Sequence, residues 1–265
     1  MPIGLAPYSV RHKVFNAAQV ESTYKKLRGI GFDGLEGGLG FRFGHTTLEE
    51  DLALLKQYDL RICDCRVDLT NPDEAMKTAE AFGVKYLWVD TLPGDQMRTL
   101  DGFKAFAEHI NNMAKPFKAA GFKLLYHNHA QEFRNFEALG GKPAMEILIN
   151  ETDPDGVCFI LDTFWCSAAG ADPAYWLRRL KGRTSPVVHF KEYAIDDRAY
   201  DTSIGGIPYR FAEIGQGNIN WPAVMEACKE IGIEWYCIEQ DFARGEIFDS
   251  LKMSVDFMRN ELKIV

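Results

Sequence analysis

Between Leu124 and Phe133 the chain reads LLYHNHAQEF, an apolar run that ends in two histidines, an asparagine and a glutamate. Imidazoles and carboxylates exchange protons and ligate cations. They are costly to bury unless paired, hydrogen-bonded or metal-bound, so the cluster is either a solvated loop or a site. Similar groups follow apolar runs elsewhere: Glu36 in DGLEGG, Asp90 after KYLWV, Asp162 after VCFIL, His189, Lys191 and Glu192 in PVVHFKE, and Glu239 and Asp241 in WYCIEQD. Taken singly, each is an ordinary strand end turning polar as it meets solvent. Several carboxylates converging on one place repel each other and require a proton or a cation. Carboxylates joined by imidazoles form a hard-to-borderline donor set, suited to Mn, Mg, Co or Zn.

Those groups share a place only if the elements carrying them do. Eight short apolar runs recur along the chain at 3–6, 33–38, 61–67, 85–90, 123–129, 157–163, 186–192 and 235–241. Amphipathic stretches with helical spacing separate them, such as Val20, Tyr24, Leu27 and Ile30, or Leu48, Leu52, Leu55 and Tyr58. Asn71-Pro72, Asp172-Pro173 and Asn220 are N-cap candidates, and Gly31, Gly83, Gly121, Gly182 and Gly232 stand where helices should stop. Eight strand-helix units in series predict parallel strands buried on both faces. A single (β/α)8 barrel spanning residues 1–265 accounts for the number, the length and the lack of a linker, with an open doubly wound sheet as second choice. In such a barrel reactive groups sit at the C-terminal ends of the strands, where the polar residues fall.

Composition sets outer bounds. Hydrophobic residues make up 46% and charged residues 26%, as in an ordinary globular chain. A net charge of -8, with no long Lys/Arg run, argues against nucleic acid. No apolar run approaches the roughly 20 residues of a membrane span, and MPIGLAPYSV does not read as a signal peptide, so the expectation is a cytoplasmic protein with no membrane partner. Six cysteines without a C-x-x-C pair suit reduced, buried thiols. Strand alternation puts Cys63 and Cys65 on one face as core packing, with a soft-metal site as the lesser reading.

YHNHAQEF, LDTFWCSAAGADPAYWLRRLKGR, VVHFKEY, EIGQGNINWPAVMEACKEIGIEWYCIEQD and SLKMSVDFMR resemble the sugar phosphate isomerase/epimerase family of xylose isomerase-like barrels. The likeness covers nearly the whole chain and is densest from Leu124 to Arg259. It implies one divalent metal ion held by residues from strands five to eight. Asp162 in LDT, His189 in VVHF and Glu239 in CIEQD match the family's ligands directly. Epimerases of the family place a glutamate on strand five where this chain has YHNH, so that ligand is assigned to Glu132, with His129 or His127 as the alternative.

The resemblance also implies a small-molecule sugar substrate and an enediolate formed by removing a proton next to a carbonyl. Glu239 is the expected ligand and base, with His127 or His129 as acid or base on the other face. Lys191 is a donor to a substrate oxygen, and Glu36, Trp165, Asp241 and His45 are candidate substrate contacts. Returning the proton gives an isomerase or epimerase. Losing a group from the neighbouring carbon gives a lyase or dehydratase, a rival because histidines replace the strand-five glutamate. A non-catalytic sugar-binding subunit and a metal-dependent nuclease are remoter alternatives, the nuclease disfavoured by the acidic charge. No Gly-rich turn with a nearby Lys or Arg marks a phosphate site; GQGN at 215–218 reads as a turn and GGLGFRFG at 37–44 as a loop. Tyr8, Phe41, Phe43, Trp88, Phe164 and Trp165 could wall a carbohydrate pocket, with Arg42 beside His45 in the loop after strand two. Homo-oligomerisation is the default expectation for assembly.

Overall fold

A computed structural model describes residues 1–89, 98–195 and 209–264. Eight parallel strands form the barrel: Ile3–Leu5, Gly34–Glu36, Arg61–Asp64, Tyr86–Trp88, Lys123–His127, Val157–Ile160, Val187–Phe190 and Trp235–Ile238. Strands three, two, one, eight and seven are hydrogen-bonded in that order, and strands four, five and six form a second run. Parallel bridges at Cys65 to Leu87 and at Asp162 to His189 join the two runs, so the ring closes. Asp90, expected at the end of strand four, lies outside the described residues.

Helices follow the strands as the apolar spacing requires. Helix Ala17–Ile30 buries Val20, Tyr24 and Leu27 and ends at Gly31, whose φ of 112° suits a residue without Cβ. Asn71, Asp172 and Asn220 accept the N-terminal amides of helices Pro72–Ala81, Pro173–Arg179 and Trp221–Ile231, each with proline in the first turn. The main core lies between the ring and its helices. No helix among the described residues is long and apolar enough to cross a membrane.

Two local readings are corrected. Pairing between strands two and three shifts register at Glu36, so alternation fails there. Cys63 consequently faces the barrel interior with Val187, Trp235 and Cys237, whereas Cys65 joins the outer core. GGLGFRFG is not wholly loop, because Leu39–Phe43 forms a five-residue helix.

Candidate metal centre

Strand five ends at His127, and period-two alternation sends its imidazole into the barrel while Tyr126 faces the core outside. Two residues past strand six, Asp162 divides its carboxylate between two tasks. One oxygen caps helix Thr163–Ala168 by accepting from the Trp165 N–H at 2.9 Å, and the other lies 3.1 Å from His127 Nε2. The Asp162 N–H donates to Asn128 Oδ1 at 3.0 Å, which ties strand six to the HNH segment. His189 lies 3.0 Å from Glu239 through Nδ1 and 2.7 Å from Glu36 through Nε2. Ligand atoms from His127, Asp162, His189 and Glu239 all lie within 4.8 Å of one another, and all four residues are buried there. Trp88 stacks against both imidazoles at 5.4 Å between centroids.

Lys191, 2% exposed, reaches the same carboxylates: its Nζ is 2.8 Å from Asp241, 3.2 Å from Glu239 and 3.8 Å from Asp162. Burial opposes its charge, but Glu239, Asp162 and Asp241 outweigh burial and hold its pKa above the usual value. Burial likewise opposes the charge of Glu239, which Lys191 and His189 more than offset, so it is held well below the carboxylate range. Burial of His189 is outweighed by Glu36 and Glu239, which raise it. Asp64 is fully buried, and neither carboxylate oxygen meets a hydrogen-bond partner among the described residues; burial, then Glu36, pushes it well up toward the neutral acid. Asp241 is raised by burial and by Glu239. His129 falls to about 4 through burial and the neighbouring His127, and its Nδ1 finds no hydrogen-bond partner among the described residues.

This donor set fits a divalent cation. Two carboxylates and two imidazoles at mutual ligand spacing would leave a neutral centre with a dication, of a borderline type that suits Mn, Co or Zn. The carboxylates of Asp162, Glu239 and Asp241 surround the single Lys191 ammonium, so this end of the cavity can take a further positive charge.

Glu132 is not part of this cluster. Its buried carboxylate accepts from Tyr126 Oη, and from the His129 N–H at 2.8 Å, on the outer side of strand five. The place assigned to it is filled by His127, because the turn after the strand folds outward onto Tyr126. Glu36, His129, Lys191, Glu239 and Asp241 line a cavity of about 230 Å³, together with Arg42, Arg66 and Trp88. His45 lies away from it, in a surface recess with Thr46 and Thr47. Trp165 stacks on His129 at 5.3 Å, behind the cavity wall. The donors around GQGN are occupied: Glu192 accepts from the Gly215 and Ile219 N–H groups and from the Trp221 indole Nε1–H. Asp64 and Arg66 were not singled out from the sequence, since one acid and one arginine near a strand end carry no spacing signal.

A family model for the xylose isomerase-like TIM barrel matches residues 24–261. The chain belongs to that family. A curated inosose dehydratase from Lacticaseibacillus casei is 26% identical over 162 residues, 57% of this chain and 52% of that protein. The chain thus spans about half the length of the curated relatives it matches. A sugar phosphate isomerase/epimerase from Parabacteroides distasonis ATCC 8503 superposes with a TM-score of 0.75 at 22% identity, covering 97% of this chain and 93% of that one. A probable 3-DHS dehydratase from Bacillus anthracis gives 0.72 at 17% identity, covering 98% and 99%. At those identities the solved structures speak for the fold.

Proposed function

We propose that this chain is a divalent-metal-dependent sugar isomerase or epimerase, acting on a ketose or keto-sugar by moving a proton on the carbon next to the carbonyl. The observation that carries the reading is the convergence of His127, Asp162, His189 and Glu239 at a cavity that His127 and Glu239 line beside a charged lysine. A cation held by those four residues would supply Lewis acidity to the carbonyl, favouring loss of the adjacent proton. Two cavity groups can accept that proton: Glu239, held ionised, and His129, neutral at pH 7 with an unpartnered Nδ1. Lys191 can only donate, and its ammonium, held by Glu239 and Asp241, would serve a developing oxyanion in the cavity it lines. Trp88 and Trp165 restrict water around the imidazoles.

Incubation of the metal-loaded chain with a panel of ketoses and 3-keto-glycosides in deuterated water tests this. Deuterium should enter the carbon next to the carbonyl, with an epimer or isomer as product. A chain that exchanges no carbon-bound proton in any member of the panel would sink the proposal.

Elimination is the second reading, favoured by Glu132. With that carboxylate committed to Tyr126 and His129, strand five offers imidazoles where epimerases of the family place a glutamate, and an imidazole that takes up the abstracted proton can pass it to a leaving hydroxyl. The curated relative from Lacticaseibacillus casei is a dehydratase, which supports the same alternative. Product analysis separates the two, because elimination releases water and leaves a carbon–carbon double bond conjugated to the carbonyl.

A further inference from the structure

Where the central cavity meets a wider groove of about 860 Å³, two arginines stand in the walls of both. Arg42 comes from helix Leu39–Phe43 and Arg66 from the turn after strand three. Neither serves the proton transfer proposed above.

The mount of Arg42 is built with care for position. Leu39 N–H donates to Tyr24 Oη at 2.8 Å, and the Gly40 and Phe41 N–H groups donate to the fully buried Asp51 carboxylate at 3.2 and 2.9 Å. A Cβ at Gly38 would fall 2.0 Å from Asp51 Oδ2, so the approach depends on glycine there. The backbone donors at the start of this short helix are therefore spent internally. What it presents to the cavity is the Arg42 side chain.

That guanidinium carries five donors in a planar fork. It makes a cation–π contact with the Phe43 ring at 5.6 Å and has no hydrogen bond or ion pair among the described residues. Burial and the like charge of Arg66 lower its pKa, against Glu36, Glu239 and Asp64. The acids along the groove are already engaged: Asp68 accepts from Thr70 N–H and Oγ1, and Glu74 pairs with Lys77 at 2.8 Å. A half-buried fork beside a like charge is completed by a bidentate anion.

We propose that Arg42, with the charge of Arg66 beside it, forms a subsite for an acidic substituent, a carboxylate or a phosphate, on the substrate of the adjoining cavity. This rests on the reading that the cavity holds a sugar. It makes the preferred substrate an acidic keto-sugar whose charged end points toward the groove and whose carbonyl faces Glu239 and Lys191. The GQGN turn, whose Gly215 N–H donates to Glu192 and whose Gln216 and Asn218 N–H groups donate to the Glu213 and Tyr193 carbonyls, has no part in it.

Calorimetric titration of the metal-loaded chain with inorganic phosphate, with gluconate and with sorbitol as neutral counterpart tests the subsite. At least one anion should bind more tightly than sorbitol, and the tighter of the two identifies the substituent. Arg42→Gln should weaken that anion about 10- to 100-fold, the worth of a charge-assisted hydrogen-bond pair. Should R42Q fail to melt cooperatively, R42K serves, since lysine keeps the charge and loses the fork; it should bind about tenfold more weakly. Equal affinity for all three probes, or anion binding unchanged in R42Q or R42K, as expected of an anion resting on the cation alone, overturns the proposal. Binding is read without turnover, so the subsite can fail while neutral ketoses still exchange protons, and the reverse.

Discussion

Replacing Glu132 and His127 separately distinguishes a support from a ligand. Glu132→Gln preserves size but turns one acceptor oxygen into a donor. The Tyr126 hydroxyl can rotate to accept from the new amide, whereas the His129 N–H still needs the remaining oxygen. One charge-assisted hydrogen bond is lost, a cost of about 1.5–3 kcal/mol. In a chain of this length that lowers Tm by roughly 3–10 °C. Changes just outside a metal's ligands typically reduce affinity about 10- to 100-fold. Glu132 touches none of the four clustered side chains, so E132Q should lose less than about tenfold in Mn affinity by the same reasoning. His127→Ala removes an imidazole 3.1 Å from Asp162 and 3.8 Å from Glu239, and should lose more than about 100-fold. Calorimetric titration with Mn alongside thermal melts reads both quantities. The assignment is refuted if E132Q melts like the wild type yet loses metal as severely as H127A.

Lys191→Met strips the ammonium from three carboxylates, so the metal-free variant should be destabilised by about 3–5 kcal/mol, and added Mn should raise its Tm more than it raises the wild type's. Equal melts in chelator would contradict that. Burial lifts the thiols of Cys65 and Cys158 to about 12, above the roughly 8.5 of an unfolded thiol. Their stabilising effect is complete below the unfolded value and is lost as pH rises toward the folded one. Each should therefore contribute up to about 1.4 kcal/mol of lost stability per pH unit above pH 8.5, and Cys158→Ala should flatten the alkaline limb seen in urea melts. Gly217→Ala would set a Cβ 2.3 Å from the Tyr193 carbonyl and 2.5 Å from Glu192 Oε1, disturbing the carboxylate that organises this turn. A loss of about 2–4 kcal/mol is expected in denaturant melts, with Mn affinity unchanged.

The ring was legible in the sequence because each parallel strand is buried on both faces and reads as a short apolar run, whatever its neighbours. Where a run stops being a strand was not. VCFILDT reads as one strand through Thr163, yet the strand ends at Ile160 and Asp162, bridged to His189, becomes a helix cap. Pattern reports hydrophobicity, and a cap and a ligand are the same residue type in the same place. Cys63 and Cys65 were assigned to one face by alternation, which holds only while the ladder is regular, and the bulge opposite Glu36 separates them.

Glu132 shows a deeper limit. Tyr126 and His127 are adjacent and must face opposite ways, so the sequence alone says that one of them is outside the barrel. What it does not say is which of the two the returning loop will follow. Here the carboxylate follows the phenol, a choice that satisfies a buried hydroxyl and a buried amide together and leaves strand five to present imidazole. The two imidazoles offered to a cation, and the standing of elimination as a rival to the proposed epimerisation, both descend from that one outward turn.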